Sequence, residues 1–371
     1  MLGKSTIKIG TILPISGPAS LRANVKSMLA GTQACISAVN ASGGVNGRRI
    51  DLHVEDSAYD IDRTVNSARK LIEKDGVVAL VNCNGTPQVE AAFPLVLEQH
   101  RTPIINTWGG RPQWFQPARA GLFGLQVLYD DIAEVLGRWA VKDGHRNILV
   151  VHPDFPAISP VMAAQTKIGA ASVAEDAQLT LLSVKFGEID PSPIVGRVRA
   201  MRPDAIIVFI NQPEILALMR ELRDAGLEVP IYSWVSNVAQ STIELGGKSV
   251  EGLKGLALTT ATPFDSTDAV VRYRDSLQKY APDVVPDFMS LFTFGEAQVL
   301  VEALAQIDGA VTPGSICDSL ESLNDVETNI LPPVGYSAES HLGSHIVQPM
   351  MVSNKAWTCA GVPIDIENDA W

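Results

Sequence analysis

At 371 residues the chain is longer than one compact core can organise, so two domains are the expectation. With 46% hydrophobic and 19% charged residues it reads as a well-filled globule, and no apolar run approaches the roughly 20 residues that span a bilayer. A net charge of −12 argues against nucleic acid and anionic membrane surfaces as partners.

The predicted elements alternate from the start. Strand-like runs at Ile7–Leu13, Ile50–Glu55, Val77–Val81 and Pro103–Asn106 are separated by helical patterns over Val25–Asn40, Ile61–Lys74 and Pro87–Gln99. After Leu122 the rhythm restarts. Strands are predicted at Asn147–Val151, Leu179–Phe186, Ala205–Ile210 and Pro230–Tyr232, with helices at Asp130–Lys142, Pro160–Ala174, Ser192–Met201 and Pro213–Ala225. The last hundred residues add a strand at Gly255–Thr259 and helices at Asp268–Tyr280 and Ser290–Ile307, too little for a third domain.

Continuous apolar strands alternating with helices imply parallel sheets covered on both faces. We read an α/β protein of two doubly wound parallel-sheet lobes, residues 6–125 with 261–336 and residues 126–260 with 337–368. The chain then crosses near 125, 260 and 336, a multi-strand hinge. Ligands of open α/β sheets bind beyond the carboxyl ends of the strands, so facing strand ends define a cleft.

Enzyme and cofactor signatures are missing. No GxGxxG follows the first strand, where Ile12-Leu13-Pro14-Ile15-Ser16-Gly17-Pro18 stands instead. Gly247-Lys248-Ser249 ends like a P-loop, but Thr242 occupies the place of its first glycine. There is no GxSxG elbow and no HExxH. Cys35, Cys83, Cys317 and Cys359 are far apart without a CxxC, so no zinc site is expected. Cys317 and Cys359 either pair or all four are free thiols. No catalytic residue, metal or cofactor is expected.

One stretch suggests binding. Asn82-Cys83-Asn84-Gly85-Thr86-Pro87 breaks a buried strand and a helix follows at once. Gly85 allows the turn, Thr86 suits the N-cap and Pro87 the first helical position. Such a helix tip, with free N–H groups and a hydroxyl beside it, is a ready anion site.

Several segments together resemble the branched-chain amino-acid class of periplasmic solute-binding proteins, the type I receptors of ABC importers. These are Ile9–Pro18, Ala38-Val39-Asn40-Ala41-Ser42-Gly43-Gly44-Val45-Asn46-Gly47, Glu55–Asp60 with the helix after it, and Gly226–Ile231. The resemblance covers about Thr6 to Ile366. It implies the type I periplasmic binding fold, a periplasmic location, a small ligand and an ABC permease as partners, and a monomer. Met1–Ser5 reads as a leader segment and not as a signal peptide. Gly43, Gly44 and Gly47 are expected to be structural, and Asp56 and Asp60 to cap the following helix.

By the resemblance, Thr86 with Asn84 and Gly85 grips a ligand carboxylate, unless Thr86 only caps its helix. Asn106-Thr107-Trp108 forms the second contact segment, with Trp108 either on the ligand or in the core. Two departures stand out. The acidic residue that pairs with a ligand ammonium is replaced by Val235, or by Trp234. Arg22 stands where the first loop offers an aromatic, as an acid-binding cation or a solvated loop arginine. In the second lobe Phe155, Ala157 and Ser159, and beyond them Asn211, fall where the family has tyrosines. A lost anion and a gained cation point to an acid without an amino group, aromatic or hydrophobic. The alternatives are an amino-acid binder, with Glu214 or Asp154 as the ammonium partner, a cytoplasmic amide or metabolite sensor, and a hydrolase.

Overall fold

The computed structural model describes residues 6–154, 159–187 and 190–368. The chain divides into two compact units. Unit 1 runs to Gln126 and resumes over Thr259–His345; unit 2 takes Val127–Leu258 and the chain from Ile346 onward.

The first pass through unit 1 gives β1 (Ile7–Leu13), α1 (Ala19–Ala41), β2 (Ile50–Asp56), α2 (Ile61–Lys70), β3 (Leu80–Val81), α3 (Thr86–Phe93), β4 (Ile104–Ile105), α4 (Pro112–Phe115) and β5 (Leu122–Phe123). Its five strands are all parallel, in the order β2-β1-β3-β4-β5. β1 is apolar at every position but Lys8, Gly10 and Thr11, and only Lys8 is exposed, as a strand with both faces covered requires. The turn from α1 into β2 uses Gly43, Gly44 and Gly47 at positive φ. A side chain on Gly44 would put its Cβ 2.0 Å from the Arg48 carbonyl oxygen, so that glycine is structural.

Unit 2 follows with α5 (Tyr129–Lys142), β6 (Asn147–Pro153), α6 (Ser159–Val173), β7 (Gln178–Val184), α7 (Ser192–Met201), β8 (Ala205–Val208), α8 (Gln212–Asp224), β9 (Ile231–Ser233), α9 (Gln240–Gly246) and β10 (Lys254–Ala257). α5 crosses α6 with no room for side chains at the crossing. A Cβ on Gly137 would meet the Thr166 carbonyl oxygen at 2.2 Å, and one on Gly169 the Glu134 carbonyl oxygen at 2.1 Å.

Unit 1 then receives α10 (Asp268–Tyr280), α11 (Phe288–Ala305) and α12 (Pro313–Glu321). Asp287 starts α11 by accepting from the Met289 N–H, while the Ser290 hydroxyl accepts from the Asp287 N–H. α11 packs on α1 where Gly31 lies under Ser290 and Thr293, and the Thr293 hydroxyl donates to the Met28 carbonyl. At a mean hydropathy of 1.3 this helix is apolar enough for a membrane span, yet 78% of it is buried within the protein. It is a core helix.

Unit 2 closes with β11 (Ile346–Ser353), β12 (Ala356–Cys359) and β13 (Ile364–Asp365). The sheet order is β12-β11-β10-β9-β8-β6-β7, with β13 on β11; β6 to β10 pair in parallel and β10 to β13 antiparallel.

Residues 337–345, expected with the second lobe, belong to unit 1. Gly343 donates to the Gly124 carbonyl and Gly124 to that of His341, which extends the end of β5. The His341 ring stacks on Phe123 with centroids 4.2 Å apart. None of the four cysteines is in a disulfide; Cys317 lies on α12 in unit 1 and Cys359 on β12 in unit 2. Burial pushes the thiols of Cys35 and Cys83 up to about 12, so both are inert at neutral pH.

Candidate functional site

Unit 1 gathers its candidates at the carboxyl ends of β1, β3 and β4. Backbone bonds stitch these ends together. Asn84 donates to Ile12, Gly85 to Trp108 at 3.2 Å, and Trp108 to Cys83 at 2.8 Å. Asn84 and Trp108 also form a parallel bridge between the two loops.

The expected cap shifts by one residue. Gly85 occupies the N-cap of α3, with φ 111° and ψ 110°, and Thr86 is the first helical residue. Only glycine accepts that backbone, and a Cβ there would lie 2.4 Å from Gln88 Oε1 and 3.2 Å from the Tyr59 ring. Thr86 is therefore not the side-chain cap of its own helix. It is 4% exposed, and its hydroxyl lies 3.1 Å from where a Cβ on Gly109 would stand. The Thr86 and Gln88 amides precede the first intrahelical bond, which Val89 donates to Gly85.

Trp108 packs edge-on against Phe292, with centroids at 5.7 Å. It is 8% exposed, so it belongs to the core, but its indole N–H has no hydrogen-bond partner among the described residues. A buried donor left unpaired costs about 1–3 kcal/mol. Asn106 and Thr107 have their polar atoms engaged within the unit. The Thr107 hydroxyl donates to Cys83, the Asn106 amide donates to the Glu296 carbonyl, and Tyr336 donates to Asn106 Oδ1.

Arg22 is not in a loop. α1 begins at Ala19, which places Arg22 exposed on the first turn of the helix. Asp60 caps α2 as expected, accepting from the Arg63 N–H at 2.8 Å. Asp56 does not. Its carboxylate accepts from the Ser16 amide and hydroxyl and from the Ala58 amide, and so fixes the loop after β1. These bonds, with Arg63 beside it, hold its carboxyl below the usual range despite the opposing effect of desolvation.

Two residues near α3 were not anticipated. Ala58 and Tyr59 both have positive φ, and this places the Tyr59 ring over Gly85, while Gln88 Nε2 donates to the Tyr59 carbonyl. No local sequence pattern marks that conformation. Arg111, at the N-cap of α4, forms an ion pair with Glu90 on α3 at 2.5 Å and links the second loop to the helix. Gly109-Gly110 just before it was the available hint.

In unit 2, Phe155 and Ala157 lie outside the described residues. Ser159 is buried at the start of α6, and Asn211 is the N-cap residue of α8, though its side chain does not cap. At the end of β9, the Trp234 indole donates to the Ile210 carbonyl at 3.0 Å and Asn237 donates to the same oxygen at 2.7 Å. Val235 is buried, and Tyr129 lies tilted against Trp234 at 6.0 Å. This wall of unit 2 is neutral and aromatic. Glu214, on the first turn of α8, is 7% exposed, and its Oε2 has no partner. Burial raises its carboxyl above the usual range.

Two units built on parallel sheets, with polar loops and a helix tip at the strand ends, define a type I periplasmic binding fold. Solved structures agree. A possible leucine/isoleucine/valine-binding protein from Rhodopirellula baltica SH 1 superposes with a TM-score of 0.84 over 97% of this chain and 98% of its own, at 18% identity. A solute-binding protein of an ABC transporter from R. palustris, in complex with benzoate, gives 0.82 over 96% of each chain at 15% identity. The chain belongs to the periplasmic binding protein family, whose profile matches residues 6–356. It is also similar to Leu/Ile/Val-binding protein homolog 1 of Brucella melitensis biotype 1, 23% identical over 332 residues, which are 87% of this chain and 84% of that relative. The family is one of binding proteins, and solute binding for an ABC transporter is the role named for the benzoate-bound neighbour.

Proposed function

We propose that this receptor captures a small hydrophobic carboxylate without an ammonium group, an aromatic acid fitting best, and delivers it to an ABC permease from the periplasm. The supporting observation is at the tip of α3. A helix N-terminus carrying Gly85 and Thr86 is tied to Trp108, whose buried indole N–H finds no acceptor among the described residues. The carboxylate is assigned to the first-turn amides and the Thr86 hydroxyl, and an aromatic body to the neighbourhood of Trp108 and Tyr59. The loop after β9 fits a ligand without an amino group, since Trp234 and Val235 offer no carboxylate and the Trp234 N–H already serves Ile210. Arg22, Asn84, Ser159 and Asn211 are secondary candidates in this reading.

A second reading is supported by Glu214, buried with one carboxylate oxygen unpartnered, which suits the ammonium of an amino acid. The names of the curated relatives favour it as well. Thermal-shift titrations with benzoate and with leucine separate the two. A ligand at about a thousand times its Kd adds roughly 4 kcal/mol to stability. Benzoate is expected to raise Tm strongly and leucine weakly; stabilisation by leucine alone overturns the acid reading and leaves Glu214 as the ammonium partner.

A further inference from the structure

One cluster in unit 1 has no part in the grip on a carboxylate described above. Glu296 lies in the middle of the apolar helix α11, 1% exposed, and forms no ion pair among the described residues. Its neighbours are neutral and come from every side. Asn82, at the end of β3, satisfies both ends of its amide when the nitrogen faces the Asn106 carbonyl and Glu296 Oε2, each at 3.1 Å, and the oxygen accepts from Thr32 of α1 at 2.6 Å. Asn106, at the end of β4, donates to the Glu296 backbone carbonyl at 3.3 Å and accepts from the Tyr336 hydroxyl at 3.3 Å.

The two asparagines share a second property. Asn82 has φ 51° and Asn106 φ 55°, the left-handed region that few residues other than glycine and asparagine enter. Each is the last residue before a loop of the candidate site, Asn82 before Cys83–Pro87 and Asn106 before Thr107–Gly110. The left-handed residues set the direction in which those loops leave the sheet. A buried carboxylate would be very costly here, and desolvation keeps the Glu296 proton on well above the usual range. The acid therefore retains an O–H donor and acceptor oxygens, which apolar neighbours in α11 lack.

We propose that Glu296 is a positioning residue of the ligand site: its carboxyl holds Asn82, whose amide also reaches the Asn106 carbonyl, and so keeps the ends of β3 and β4 left-handed and aims both loops. The inference rests on the reading that these loops carry the ligand. In the ligand-free protein, Glu296→Gln keeps an acceptor for Asn82 and Glu296→Leu removes it at similar volume, while the backbone carbonyl that Asn106 uses survives in both.

Amide hydrogen exchange at Gly85 and Trp108 reports the loops directly, because their N–H groups form the bonds between them. Glu296→Leu is expected to speed exchange at both by about tenfold, with α1 and the strands of unit 2 unchanged, and Glu296→Gln to restore rates to within about twofold. Wild-type rates in Glu296→Leu, or an equal rise throughout unit 1, overturn the proposal. Should Glu296→Leu fail to fold, Glu296→Met removes the same acceptor with a more adaptable side chain. It is expected to raise both rates by the same factor, and no rise overturns the proposal. Benzoate titration adds a separate arm. If wild type binds benzoate, Glu296→Leu is expected to weaken it about tenfold and Glu296→Gln to recover it. If wild type does not bind it, the acid reading fails while the exchange result still decides the role of Glu296.

Discussion

The two units reach the ends of their strands by different means. In unit 2, β6 and β7 run for seven residues each, and β6 and β8 are buried in an apolar interior. At that end Trp234 and Asn237 donate to one shared backbone carbonyl. In unit 1, β3, β4 and β5 are only two residues long, and behind them lies a buried polar network of Thr32, Asn82, Asn106, Glu296 and Tyr336. Short strands carry few ladder bonds, so side chains hold the loops where the ladder does not. Unit 1 is built for fixed direction, and unit 2 for ordinary packing.

Substitutions at two glycines should separate these designs with the largest effects. Gly85→Ala forces a Cβ against Gln88 at φ 111°, and strain of about 1–3 kcal/mol should reduce carboxylate affinity tenfold or more in a calorimetric titration. Gly169→Ala drives a Cβ against the backbone of α5 and should lower Tm through about 1–3 kcal/mol of overpacking, while its affinity for the acid stays within about threefold. If both variants lose only stability, unit 1 has no special role in the grip.

The buried acid gives the contrast a pH signature. The folded-state value of Glu296 is raised above 4.5, so its contribution to stability is complete below that pH and is lost as pH rises toward the folded value. Within that window the folded chain holds a proton that the unfolded chain has released. Stability then falls by up to about 1.4 kcal/mol per pH unit. Glu296→Gln lacks this penalty, so its Tm relative to wild type should climb between pH 5 and 8, read by thermal denaturation. A constant difference would mean that Glu296 is ionised in the folded state. Tyr336, the titratable group facing it, is itself pushed up by burial and by Glu296.

Smaller effects test single contacts. Thr86→Val keeps shape and removes the hydroxyl, and should weaken an acid ligand about tenfold with little change in Tm. Arg22→Ala should change affinity by less than about fivefold, as expected of an exposed cation on a first helical turn. A much larger loss by titration would bring Arg22 into the site.

Strands and helices with strong patterns were readable from the residues. β1, α7 and α10 fall on Ile7–Leu13, Ser192–Met201 and Asp268–Tyr280, the predicted bounds. The start of α1 was hidden because Pro18 stands at its N-cap and no side chain caps it, which is why Arg22 was read as part of a loop. β11 carries Pro349, which argues against a strand, and its partners β12 and β13 are short. The Gly85-Thr86-Pro87 turn announced itself through its residue types. The left-handed Asn82 and Asn106 did not, because asparagine in a loop implies no particular dihedral. Nor did Glu296, one acid in an apolar helix, since its partners lie more than 180 residues away in the chain.

Backbone bonds join the two candidate loops, Gly85 to Trp108 and Trp108 to Cys83, Asn84 to Ile12 ties the first to β1, and the Thr107 hydroxyl adds a side-chain bond to Cys83. None depends on the identity of the side chains at 84, 86 or 108. Position 84, only half-buried, is open to exchange without redrawing the surrounding trace, which makes the molecule a natural starting framework for a sensor retuned to a different guest.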